Sequence, residues 1–184
     1  MLDKDRFIED CRNAIRSSES VAEIRDIVAR AVSDPAQVLR ALGEPTRSGV
    51  ETLYRSPELT ILNLSWGPQM VIRPHDHRMW AVIGIYGGTE QNTFFRRSGQ
   101  GLEQHGTKEL AARQTIALAP TIIHGVVNPL DSITSAIHVY GGDFFATPRS
   151  EWDPQTLTER PYEMAHTLKA FEDANARLAA MRGV

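Results

Sequence analysis

Residues 59–88 read LTILNLSWGPQMVIRPHDHRMWAVIGIYGG, and this stretch decides the fold. It opens on an apolar run, Leu59–Trp66, that the turn pair Gly67-Pro68 breaks. A second run, Met79–Tyr86, stops at Gly87-Gly88. Short runs of β-branched, aliphatic and aromatic residues between glycine and proline breaks read as strands. The same texture continues through Gln91–Arg97, Gln114–Ala119 and Ile133–Tyr140, with turns at Ser98-Gly99 and Asn128-Pro129. Many short strands at this spacing predict a mainly β sandwich or small barrel over residues 47–155.

Helical patterns lie on either side. Phe7, Ile8, Cys11 and Ile15 recur at helical spacing. Ser20 with Glu23 reads as a capping box that opens a second helix, with Val21, Ile24, Ile27, Val28 and Ala31 on its apolar face. Asp34-Pro35 starts a third helix and Gly43 closes it. Residues 1–45 are thus expected to form a helical cover packed on the sheet. Residues 161–182 form another helix, with Met164, Leu168, Phe171, Leu178 and Met181 on one side. Three prolines between Thr147 and Pro161 suggest a hinge. The 184 residues suit one domain spanning 1–184.

Composition narrows the function classes. The net charge is −3, with 20 Lys+Arg against 23 Asp+Glu, so a basic footprint for nucleic acid is missing. One cysteine, Cys11, excludes an intrachain disulfide and a four-thiolate zinc site. No apolar stretch is long enough to span a bilayer, and the acidic start is unlike a signal peptide, so a cytoplasmic location and no membrane partner are expected. Oligomeric state is left open.

The six histidines carry the sharpest signal. His75-Asp76-His77 places two imidazoles on one face of an extended strand, with Asp76 on the other. His124 follows 47 residues after His77, at the start of another expected strand. Three imidazoles from two strands can cap one face of a metal and leave positions open. Read alone, a His-x-His pair is more often a solvated turn than a metal site.

Two longer segments give the pair a context. They are Trp66-Gly67 … His75-Asp76-His77 … Gly84 … Gly87-Gly88, and Pro120-Thr121-Ile122-Ile123-His124-Gly125-Val126-Val127-Asn128. Both resemble the two motifs of cupins, which are double-stranded β-helix (jelly-roll) barrels with a metal at the mouth. The cupin glutamate ligand is missing after His77, where the chain reads Arg78-Met79-Trp80-Ala81-Val82. That departure resembles the cysteine dioxygenase family of thiol dioxygenases. So do the run His75-Asp76-His77-Arg78-Met79-Trp80 and the strand Ile137-His138-Val139-Tyr140-Gly141-Gly142. The resemblance covers about half the chain, from Tyr54 to Arg149, and is closer to the bacterial mercaptocarboxylate dioxygenases.

The resemblance implies Fe(II) held by His75, His77 and His124. It implies a small thiol, a mercaptocarboxylate or cysteine, converted with O2 to a sulfinic acid. Imidazole suits several transition metals, so iron rests on the resemblance alone. Tyr140 and His138 would be the catalytic pair near the metal. The family's serine two residues before the histidine is Ala136 here, and Thr134 lies on the correct face to substitute. The family's cysteine–tyrosine crosslink has no partner, since Cys11 lies in the first helix. Arg149, nine residues after Tyr140, and Arg55 are the candidates for binding a substrate carboxylate. Two further readings stay open: a metal cupin doing non-redox work such as isomerisation, and a ligand-binding cupin without catalysis.

Overall fold

The computed structural model describes residues 2–99 and 101–183. Three helices open the chain: α1 (Lys4–Ala14), α2 (Ser20–Val32) and α3 (Pro35–Leu42). Eleven strands follow among the described residues. They are β1 (Gly49–Arg55), β2 (Thr60–Trp66), β3 (Val71–Asp76), β4 (Ala81–Gly87), β5 (Thr89–Ser98), β6 (Gly101–Ala111), β7 (Thr115–Leu118), β8 (Ile123–Val127), β9 (Thr134–Tyr140), β10 (Ser150–Trp152) and β11 (Glu159–Pro161). The last helix is α4 (Met164–Arg182). The strands form two antiparallel sheets, in the orders β1-β2-β9-β4-β7 and β11-β10-β3-β8-β5-β6. Facing sheets of this kind, between which the chain crosses repeatedly, make the expected jelly roll, with helices at both chain ends.

Side-chain alternation explains why β4 reads as a continuous apolar run and why β9 is buried along its whole length. Ala81, Ile83, Ile85, Ala136 and Tyr140 point between the sheets, where they meet Leu62, Leu64, Ile72 and Val126. Their neighbours Val82, Ile137 and Val139 point the other way and bury against Phe7, Cys11, Ile24 and Val28 of the helical cover. A sheet covered on both faces has no polar side to betray its period. Burial pushes the Cys11 thiol up to about 12, which makes it an inert core residue.

The cover approaches closely at Gly84. A Cβ there would stand 2.4 Å from Val28 Cγ1 and 3.0 Å from Val32 Cγ1. Gly84→Ala is therefore expected to destabilise the fold by about 1–3 kcal/mol through overpacking, read as a lower urea midpoint at unchanged slope.

Several local expectations are corrected. Ser20 does not cap α2. Glu19 occupies the cap position without a side-chain bond, and Glu23 instead accepts from the Ser17 hydroxyl at 2.6 Å. The cap at Asp34-Pro35 is present, with Asp34 accepting from the Gln37 amide at 3.3 Å. On α4 the buried side is Phe171, Ala174 and Leu178, while Leu168 and Met181 are exposed. The proline-marked segment is anchored at its start. It contains β10, which pairs with β3 and places Glu151 opposite His75, and Arg149, Ser150, Glu151 and Trp152 are all buried. Strands β1 and β6 escape the sequence reading because they are edge strands with many polar, exposed positions.

Candidate metal centre and its pocket

Antiparallel pairing of β3 with β8 sets His75 directly opposite His124. His77 follows one residue beyond the end of β3, on the same side as His75. Arg78 then takes a left-handed conformation, φ 57°, where the chain leaves the strand. The result is a convergence of three ring nitrogens. His75 Nε2 lies 3.2 Å and His124 Nε2 3.4 Å from His77 Nε2, and the three ligand atoms fall within 4.8 Å of one another. All three side chains are buried. Asp76 points away, as alternation requires; it accepts from the Ser150 amide and pairs with Arg78 Nε at 2.6 Å.

Outer contacts orient two of the rings. His75 Nδ1 donates to the Arg73 carbonyl at 2.8 Å, and His124 Nδ1 donates to Asn92 Oδ1 at 2.7 Å. Each contact fixes the tautomer that leaves Nε2 as a lone pair. Burial pushes His75 down to about 4, despite help from the Arg73 carbonyl, and pushes His77 and His124 well below their usual range. The lone pairs of His75 Nε2 and His124 Nε2 thus converge on His77 Nε2, whose single proton could satisfy only one of them fully. A cation among them resolves the conflict, so the residues fit a metal ion of the imidazole-binding class.

The same burial predicts a pH effect in metal-free protein. Below pH 6.5 the unfolded chain protonates His75 while the folded protein does not, so stability falls as pH falls from 6.5 to 4. His75 alone accounts for about 3 kcal/mol over that window. Urea unfolding at pH 7 and pH 4 checks this, and a flat profile would place the imidazoles in water.

His138 and Tyr140 lie on the inward face of β9, as expected. His138 Nδ1 is 2.9 Å from the Tyr140 hydroxyl. The Tyr140 ring meets the edge of His77 at 5.1 Å. Burial pushes the Tyr140 phenol far above its usual value, so it stays protonated.

The place of the missing serine is not taken by Thr134. Its hydroxyl proton is shared between the Thr89 carbonyl at 2.8 Å and Asn128 Oδ1 at 3.0 Å, and its oxygen accepts from the Thr89 amide. Asn128 in turn ties the Trp66-Gly67 turn through bonds to both carbonyls. Glu90 stands beside His138 instead. It is fully buried, and its Oε2 lies 3.7 Å from His138 Nε2, a charge contact rather than a formed hydrogen bond.

Glu90 also accepts from Trp66 Nε1 and Asn92 Nδ2, both at 2.9 Å. Burial pushes its carboxyl up, but His138, Asn92 and Trp66 together outweigh that and hold it below the usual range. With the carboxylate facing Nε2, His138 turns Nδ1 toward the Tyr140 hydroxyl. A buried row of polar side chains thus runs Tyr140–His138–Glu90–Asn92–His124, hydrogen-bonded at every step but the 3.7 Å approach of His138 to Glu90. Sequence reading missed Glu90 and Asn92. The signal was present: after the Gly87-Gly88 turn, Glu90, Asn92 and Phe94 alternate inward on β5.

The two arginines part company. Arg149 is buried, and its guanidinium lies between the rings of Phe144 and Tyr162, 4.1 and 3.9 Å from their centroids. Nη1 donates to the Phe144 carbonyl, while Nε and Nη2 have no partner among the described residues. Both rings line the cavity that holds His75, His77, His124, His138 and Tyr140. Arg55 is drawn elsewhere. It forms a two-point pair with Asp143 at 3.0 Å and lies half exposed over Phe145.

No protein-family model matches the chain. Solved structures with a similar fold include an RmlC-like cupin with a double-stranded β-helix from Methanocaldococcus jannaschii. It is 12% identical over 55% of this chain and 86% of that one, with a TM-score of 0.45. The DMSP lyase DddQ of Ruegeria pomeroyi is 16% identical over 59% of this chain and 53% of that one, TM-score 0.47. Oxalate decarboxylase of Bacillus subtilis, which has Mn(II) centres, is 14% identical over 48% of this chain and 22% of that one, TM-score 0.40. No helix among the described residues is long and apolar enough to cross a membrane.

Proposed function

We propose that this protein is a mononuclear iron dioxygenase that converts a thiol bearing a carboxylate to its sulfinic acid, RSH + O2 → RSO2H. The observation that carries the reading is Arg149. A buried guanidinium with two unpaired nitrogens is costly unless an anion reaches it. The two rings against it, Phe144 and Tyr162, line a cavity whose three histidines include no carboxylate ligand, so the charge of a bound divalent ion is also uncompensated. A dianionic substrate, thiolate at one end and carboxylate at the other, answers both.

Bound at His75, His77 and His124, iron(II) would supply open positions for the thiolate and for O2. The protein's own groups do the rest. Arg149 holds the carboxylate in a planar fork, stiffened by Phe144 and Tyr162. Tyr140 presents its hydroxyl beside the histidines, at the place where charge changes on sulfur and oxygen. His138 fixes the direction of that hydroxyl, and Glu90 fixes His138. The aromatic and aliphatic walls exclude water.

The test is oxygen uptake by iron-loaded protein across 3-mercaptopropionate, mercaptosuccinate, cysteine and cysteamine. The carboxylate thiols should consume one O2 per thiol and exceed cysteamine by ~10-fold or more in kcat/KM, since cysteamine leaves Arg149 unpaired. Arg149→Ala is expected to raise KM for the acids and erase that preference. Absence of thiol-dependent uptake would remove the dioxygenase reading.

A further inference from the structure

The cavity above the histidines is more apolar than a three-carbon acid requires. Its volume is about 130 Å³, near the ~150 Å³ of an apolar cavity that accepts benzene. Val50, Leu62 and Leu64 form one wall, and Leu168 and Phe171 of α4 form another, with Phe145 at the rim. Among the described residues, five large hydrophobics are exposed. Three of them, Val50 (43%), Phe145 (37%) and Leu168 (54%), line this one cavity. Exposed apolar side chains gathered around an opening, with the polar groups at the histidine end, favour a ligand with an apolar part.

We infer that the substrate carries, besides its thiolate and carboxylate, an apolar body about the size of a phenyl ring, lying between β1–β2 and α4. The inference rests on the thiol-acid reading for the two charged ends. The apolar body rests on the walls alone. Substrate with this body would seat against Leu62 and Leu64 and bring Val50, Phe145 and Leu168 out of water.

The test separates the two parts. Propionate and 3-phenylpropionate lack sulfur, so their binding to the protein as purified, read by calorimetry, needs no turnover. 3-Phenylpropionate is expected to bind at least ~10-fold tighter, since each buried methylene is worth roughly fourfold. Leu168→Asn, at an exposed position, should weaken it several-fold. Met181→Asn, at an exposed apolar position of the same helix outside this cavity, should not.

Equal affinities, no binding of 3-phenylpropionate, or an unaffected Leu168→Asn variant overturns the inference. So does a dimer that Leu168→Asn dissociates, because the patch then serves a second copy. Oxygen uptake with 3-mercapto-3-phenylpropionate and 3-mercaptopropionate reads the chemistry separately. No uptake with either, beside an intact binding preference, supports the apolar site and removes the dioxygenase reading. Equal kcat/KM for both keeps that reading and overturns the apolar body.

Discussion

His124→Ala is expected to lose its metal while keeping the fold. His124 is one of the two strand-held histidines of the cluster, paired across from His75, and its ring is aimed by Asn92. Replacing an orienting contact such as Asn92 typically costs 10–100-fold in metal affinity, so deletion of the ligand itself should cost on the order of 10²-fold or more. The jelly-roll core does not depend on the ion, because Leu62, Leu64, Ile83, Ile85 and Val126 pack between the sheets without it. Asn92 Oδ1 loses its partner, at about 1–3 kcal/mol of stability. Elemental analysis after reconstitution with iron, together with far-UV circular dichroism, reads both outcomes. Full iron content in the variant would exclude His124 as a ligand.

Tyr140→Phe should keep fold and metal but slow sulfinate formation by ~10²–10³-fold, or let O2 be consumed without product. The ring stays wedged between His77 and Phe144, with the Phe144 centroid 4.4 Å away, so the substitution removes the hydroxyl and little packing. Glu90→Gln is expected to act in the same direction and less strongly. The amide still accepts from Trp66 Nε1, but the charge beside His138 is gone, so the ring that meets the Tyr140 hydroxyl is held less firmly. Measured oxygen and sulfinate stoichiometry distinguishes this from simple destabilisation. A Phe variant equal to the native protein on its preferred thiol would make Tyr140 a core residue only.

Much of this was legible in one dimension. Alternation at His75-Asp76-His77 and along Ala136–Tyr140 put His75, His77, His138 and Tyr140 on inward faces, because a strand's period of two does not depend on its partners. Local chemistry likewise specified the α3 cap at Asp34-Pro35 and the closing Gly43. What needed the tertiary structure was every property set by register between distant segments. The β3–β8 ladder made His75 and His124 neighbours. Pairing of β10 with β3 carried Arg149 into the interior from a segment that resembled a hinge. Arg55, equally basic in sequence, met Asp143 instead. Glu90 became the partner of His138 although 48 residues separate them. A side chain's direction follows from its own strand, but its charge partner, burial and freedom to bind a ligand follow from which strand lies beside it, and that is decided by global packing.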